Sequence, residues 1–135
     1  DAGFDCLWAL EHHFRDYSFC PDNLQLMAYL TAKYPNIDVG TAAVSLPWQD
    51  LLRVAKRVAV LDHLSGGRMR LGMGRGLARC EFEGFRTTMT ESRERFDEAA
   101  ALFVGSLRTG WIGKRRQALK AAQGRHSVPP SLPDR

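Results

Sequence analysis

The sequence predicts an α/β fold of three parallel strand–helix units. Two observations point there. Short apolar runs of strand length alternate with longer stretches in which apolar residues recur at helical spacing. The connections between them are short, and a strand–helix–strand order with short links gives right-handed parallel units.

The first strand is read at Phe4 to Leu10 (FDCLWAL), a nearly continuous apolar run that reads as buried. A loop with Tyr17, Ser18, Pro21 and Asp22 follows. Asn23 is placed to cap a helix from Leu24 to Tyr34, with Leu26, Met27 and Leu30 on one face. Pro35-Asn36 ends it. The second strand, Ile37 to Leu46 (IDVGTAAVSL), is rich in β-branched residues and closes at Pro47. Asp50 is an N-cap for a second helix, in which Leu51, Val54, Ala55, Val58, Leu61 and Leu64 form the apolar stripe. Ser65-Gly66-Gly67 stops it as a glycine cap. Arg68 to Gly74 (RMRLGMG) alternates Met69, Leu71 and Met73 and is the third strand. A loop is expected through Phe85. A third helix starts near Thr90 and carries Phe96, Ala99, Ala100, Leu102 and Phe103 to about Leu107. Beyond Gly110 the periodicity fails. Residues 111–135 read as a basic, proline-ended, loosely ordered tail, with a short helix at 114–122; residues 1–110 are the domain.

Two architectures accommodate this order: an open doubly wound sheet, or part of a (β/α)₈ barrel. A whole barrel takes about 250 residues. At 135 residues, the barrel reading makes this chain a piece of one, with strands missing on both sides.

Composition narrows the function classes. Hydrophobic residues make up 44% and charged residues 25%, which excludes a disordered or collagen-like chain. No apolar run approaches the ~18 residues of a membrane span, and no signal peptide is visible. Cys6, Cys20 and Cys80 are an odd set without a C-x-x-C pair, which argues against a disulfide framework or a zinc site and makes a reducing cytoplasm the default. The net charge of +4 is unevenly placed. Residues 1–107 hold 12 Lys/Arg and 14 Asp/Glu, whereas residues 108–135 hold 7 and 1. A slightly acidic body is not the footprint of a nucleic-acid reader.

Three stretches at strand ends have residue types suited to chemistry. Glu11-His12-His13 follows the first strand, at the carboxyl end where parallel α/β folds bind ligands. A histidine there suits acid–base work near neutral pH; the alternative is a loop pair hydrogen-bonded to backbone. Adjacent histidines project in different directions, so no metal site is read. Gly72-Met-Gly-Arg-Gly76 misses the G-x-G-x-x-G dinucleotide pattern because position 77 is Leu. It suits either a phosphate approached by backbone and Arg75, or a glycine turn with Arg75 paired to Glu81 or Glu83. Gly40 to Val44 is small enough for a flat ligand to lie on, or for tight packing beneath a helix.

Taken together, these stretches resemble the bacterial luciferase-like family of flavin-dependent monooxygenases. The matching text is GFDCLWALEHHF (3–14), VGTAAVSLP (39–47), the stretch from RVA (53–55) through LDHLSGGR (61–68), LGMGRG (71–76), EFEGF (81–85) and ESRERFDE (91–98). Six motif regions in order, across roughly residues 2–105, are far more specific than any one.

The resemblance implies a (β/α)₈ TIM barrel with reduced flavin mononucleotide (FMN) at the carboxyl ends of its strands. It implies that His12 is the active-site histidine, that Ala42-Ala43 form a non-proline cis peptide beside the isoalloxazine ring, that Arg75 contacts the flavin phosphate, and that Glu81 is an acidic position nearby. It implies oxygenation of an organic substrate with O₂ and a flavin reductase as the source of reduced flavin; three strands cut from a barrel leave two free edges and an uncovered face, which points to a homo-oligomer, and no metal, nucleic acid or membrane is implicated. A related chemistry, hydride transfer with a deazaflavin, is the alternative cofactor reading, and a non-catalytic piece that only oligomerises is the alternative function. Against the family pattern the first strand and the last four are expected to be absent, and the basic tail departs from the family's continuation.

Overall fold

The computed structural model describes residues 3–112 and 126–127. Three strands, β1 (Cys6–Ala9), β2 (Asp38–Ser45) and β3 (Met69–Gly74), form one parallel sheet in the order β1-β2-β3. The links are α1 (Asn23–Lys33) and α2 (Leu51–Ser65); a short α3 (Arg79–Gly84) and a long α4 (Ser92–Thr109) follow β3. Each crossover moves one place along the sheet in the same direction, so right-handed connections put α1 and α2 on one face. Trp111–Ile112 and His126–Ser127 form a separate two-stranded antiparallel pair, β4 and β5. The expected helix at 114–122 and most of the tail lie outside the described residues.

The core lies between the sheet and the helices. Val39 and Val44 of β2 and Met69 of β3 pack with Leu24 and Met27 of α1, Val54, Ala55, Val58 and Leu61 of α2, and Ala99 and Phe103 of α4. β2 is the central strand, which is why its β-branched run is its most buried part.

Local signals act largely as expected. The Asp50 carboxylate accepts from the Arg53 amide at 2.8 Å, and Gly66 closes α2 at φ 67°. Arg68, just past that turn, donates to Thr31, Tyr34 and Ile37 carbonyls and ties β3 to the end of α1.

Three expectations are corrected. The cap of α1 is Asp22, whose carboxylate accepts from the Gln25 amide at 3.0 Å; Asn23 is the first helical residue, and its side chain is buried elsewhere. The loop between β3 and α4 contains α3, which is too short to show a helical period in sequence. Finally, β1 is not a buried strand: Phe4, Trp8 and Leu10 are 69%, 57% and 45% exposed. Among the described residues its one strand neighbour is β2, so it stands at the edge of the sheet.

Candidate functional site

The three sequence-selected stretches come together at one end of the sheet. Parallel adjacent strands bring all their carboxyl ends to the same edge, so Glu11-His12-His13 after β1, Ala42-Ala43 within β2, and Gly74-Arg75-Gly76 at the end of β3 lie side by side.

The Ala42-Ala43 peptide is cis. It sits where β2 has one residue more than β3: Thr41 pairs with Leu71, but Val44 pairs with Met73. On both sides the backbone is pinned. The Thr41 hydroxyl donates to the Gly72 carbonyl at 3.1 Å and accepts from its amide at 3.2 Å. The buried Asn23 amide donates to the Ala43 carbonyl at 3.1 Å and to Ala9 at 3.4 Å, so the start of α1 bridges β1 and β2. Thr41 is buried whereas Ala42 is exposed, so the small-residue run opens outward at its cis peptide rather than being packed away under a helix.

Among the described residues the rings of His12 and His13 are not hydrogen-bonded to backbone carbonyls. Each meets a carboxylate. His12 Nδ1 is 3.1 Å from Glu81 Oε1, which also accepts from the His13 amide at 3.0 Å. The other Glu81 oxygen accepts from the Ala78 amide at 3.2 Å, so Glu81 also caps α3 from its third position. Glu81 is 1% exposed. Burial opposes its ionisation, but the amides of His13 and Ala78, and His12 itself, outweigh that and hold the carboxyl below its usual range. An ionised carboxylate only accepts, so the facing His12 Nδ1 carries a hydrogen and Nε2 is left as the basic nitrogen. The Tyr17 ring meets His12 edge-on at 4.9 Å.

His13 meets Glu11, a residue the sequence did not single out beyond its place in the run. An aromatic cluster supports this side. Trp48 stacks on Phe85 at 5.3 Å and meets Phe82 edge-on, and Phe14 packs on Phe85. Gly84 lies against the Phe14 ring, so a β-carbon there, 2.2 Å from it, would require the ring to shift.

Arg75 is exposed and makes no hydrogen bond or ion pair with the described residues. The alternative pairing with Glu81 does not form, because both Glu81 oxygens are committed to His12, His13 and Ala78. No pairing with Glu83 forms either among the described residues. Arg75 lies between Gly74 and Gly76, the latter at φ 81°. Among the described residues no group of His, Cys, Asp and Glu side chains is arranged to hold a metal.

Comparison with known proteins agrees with the geometry. The family described as luciferase-like monooxygenase matches residues 1–134. The chain belongs to the luciferase-like monooxygenase family. The alkanal monooxygenase alpha chain of Photorhabdus luminescens is 33% identical over 120 residues, which cover 89% of this chain and 33% of that protein. The chain thus spans about a third of the length of the curated relatives it matches. Monooxygenase RslO1 from Streptomyces bottropensis superposes with a TM-score of 0.76 at 30% identity, covering 97% of this chain and 39% of that one. Two more distant structures share the fold. One is the oxygenating constituent of 3,6-diketocamphane monooxygenase from Pseudomonas putida in complex with FMN (TM-score 0.77, 18% identity, 96% of this chain and 36% of that one). The other is the coenzyme F420 dependent tetrahydromethanopterin reductase of Methanopyrus kandleri (TM-score 0.69, 20% identity, 96% and 39%). The described strands therefore correspond to three adjacent βα units of the luciferase-like barrel fold, and the doubly wound alternative is set aside.

Proposed function

We propose that this chain contributes the flavin-binding edge of a luciferase-like monooxygenase that uses reduced FMN and O₂ to oxygenate a small organic substrate. The observation that carries the reading is the convergence, at one strand-end edge, of an exposed arginine with no ion pair among the described residues, an open cis Ala-Ala peptide and a carboxylate-held histidine in a chain of this family.

The residues fit the cofactor. Arg75, flanked by glycines and paired to no carboxylate among the described residues, suits a phosphate dianion, for which a guanidinium fork is well shaped. Ala42-Ala43 present backbone without bulky side chains, as a flat ring system requires. When bound, reduced flavin supplies the electrons that activate O₂. The protein's part is positioning, proton handling and exclusion of water. His12, with Nδ1–H held by Glu81, offers Nε2 to take or return a proton at the reacting centre.

FMN is favoured over a deazaflavin by the monooxygenase relatives and by the FMN-bound diketocamphane structure; the F420 reductase is what supports the second cofactor reading. A flavin reductase partner, a homo-oligomer and a cytoplasmic setting complete the proposal. No described helix is long and apolar enough to cross a membrane. The test is titration of the purified chain with FMN, followed by flavin absorbance and fluorescence, with a deazaflavin as competitor. Saturable binding of FMN that the deazaflavin displaces only weakly is the expected result. Tighter deazaflavin binding would replace the cofactor, and no binding of either would favour a non-catalytic piece.

A further inference from the structure

Glu11 is 5% exposed, and its carboxylate gathers four contacts, one from His13 and three from the segment 45–49. One oxygen accepts from the Trp48 indole at 3.3 Å and the Gln49 amide side chain at 3.2 Å, and lies 2.9 Å from His13 Nε2. The other accepts from the Ser45 amide at 3.2 Å. No lysine or arginine of the described residues is among its partners. An oxygen that already accepts from two N–H donors presents an acceptor to His13, so His13 Nε2 bears the hydrogen and its Nδ1 does not. The His13 ring is held in that plane by Phe85, edge-on at 4.7 Å, and by Trp48 at 6.2 Å.

His12 is wired in the opposite sense, through Nδ1 to Glu81. The two imidazoles also sit in different surroundings. His13 and Glu11 border a cavity of about 200 Å³ with Asn23, Gln49 and the Asp22–Arg57 ion pair at its rim, and His12 does not line it. We propose that Glu11 is a positioning residue: it fixes His13 as the Nε2–H tautomer, in a second carboxylate–imidazole pair independent of the Glu81–His12 pair. The site then presents two neighbouring histidines with opposite basic nitrogens, Nε2 on His12 and Nδ1 on His13. By holding Ser45, Trp48 and Gln49 at the same time, Glu11 also locks the segment after the cis peptide to the end of β1.

This rests on the reading of the Glu-His-His run as part of the site, but its test needs no flavin. Ring nitrogen NMR of the ¹⁵N-labelled chain at a pH of roughly 8.5, well above the ordinary imidazole range of ~6.5, reports which nitrogen of each histidine carries hydrogen. Expected is hydrogen on Nδ1 of His12 and on Nε2 of His13. Glu11→Gln should cost His13 its single-tautomer pattern while His12 keeps its own, and Glu81→Gln should do the reverse. A His13 hydrogen on Nδ1 in the unmodified chain overturns the assignment, as does a Glu11→Gln chain in which His13 is unaltered or both histidines change together. Should Glu11→Gln fail to fold, the unmodified pattern and the Glu81→Gln spectrum decide. Loss of FMN binding would leave this result standing, and a swapped tautomer would leave FMN binding standing.

Discussion

Gly72 stands so close to the backbone of Thr41 that a β-carbon on it would lie 2.1 Å from the Thr41 carbonyl oxygen. The same two residues exchange both hydrogen bonds of the Thr41 hydroxyl. The neighbour is backbone inside a paired sheet, so it cannot swing aside as a side-chain tip would. This contact holds β3 against β2 one residue before the cis peptide.

Gly72→Ala is therefore expected to destabilise the chain severely, by roughly 3 kcal/mol or more, through overpacking against fixed backbone. Gly105→Ala is the control of opposite sign. Gly105 is exposed in α4 with no described atom within 4 Å of its β-carbon position, and replacing a helical glycine by alanine stabilises by about 0.5–1 kcal/mol. Thermal melts of both variants check this. A tolerated Gly72→Ala would mean that the two strands are not this close.

Arg75→Ala should weaken FMN binding by about 1.5–3 kcal/mol, the scale of a hydrogen bond to a charged group. Riboflavin lacks the phosphate and should lose little. Equal losses for both ligands would sink the phosphate role.

In a form of the enzyme that turns over, His12→Ala should slow the reaction by ~10²–10⁴ while FMN affinity stays within about tenfold. Should His13→Ala be the damaging change and His12→Ala silent, the roles within the pair are reversed.

Glu81 gives a pH dependence of known sign. Its folded carboxyl titrates below the ordinary value, so it contributes stability that is fully present above the ordinary glutamate range near ~4.3. That contribution is lost as pH falls through the lower folded value. Glu81→Gln removes it. The difference in melting temperature between the parent chain and Glu81→Gln should be largest at neutral pH and shrink toward pH ~3. A difference that grows on acidification would contradict the network around Glu81.

The sequence reveals what depends on neighbours along the chain. Val54, Val58 and Leu61 recur at helical spacing because one side of α2 faces the core, and Asp50 and Gly66 cap it through bonds to residues three or four away. What it hides depends on distant contacts. Asn23 is as good a cap as Asp22 by residue type, and only the carbonyls of Ala9 and Ala43 explain why its side chain turns inward. Glu81 lies 69 residues from His12, so its role is not visible from spacing. Glu11 reads as the polar end of an apolar strand until Ser45, Trp48 and Gln49 arrive around it. The apolar run in β1 says that those side chains need cover, not which element supplies it.

That need for cover is the basis of a last expectation. Trp8 in β1, Phe4 before it and Leu10 just after it are all exposed. The Trp8 ring lies over Gly40 of β2, where a β-carbon would come within 2.5 Å of it, so the exposed face continues from β1 onto β2. At about 25 cal/mol per Å², several hundred Å² of such surface left wet forgoes several kcal/mol, against a total domain stability of about 5–15 kcal/mol. An apolar patch of that size beside a strand edge that no described strand pairs with is also a template for association. The 135-residue chain is expected to self-associate in solution, and Trp8→Lys should shift it toward monomer. Sedimentation velocity across a concentration series measures both. A compact monomer with a cooperative melt at micromolar concentration would show that the three-strand sheet is stable with this face open.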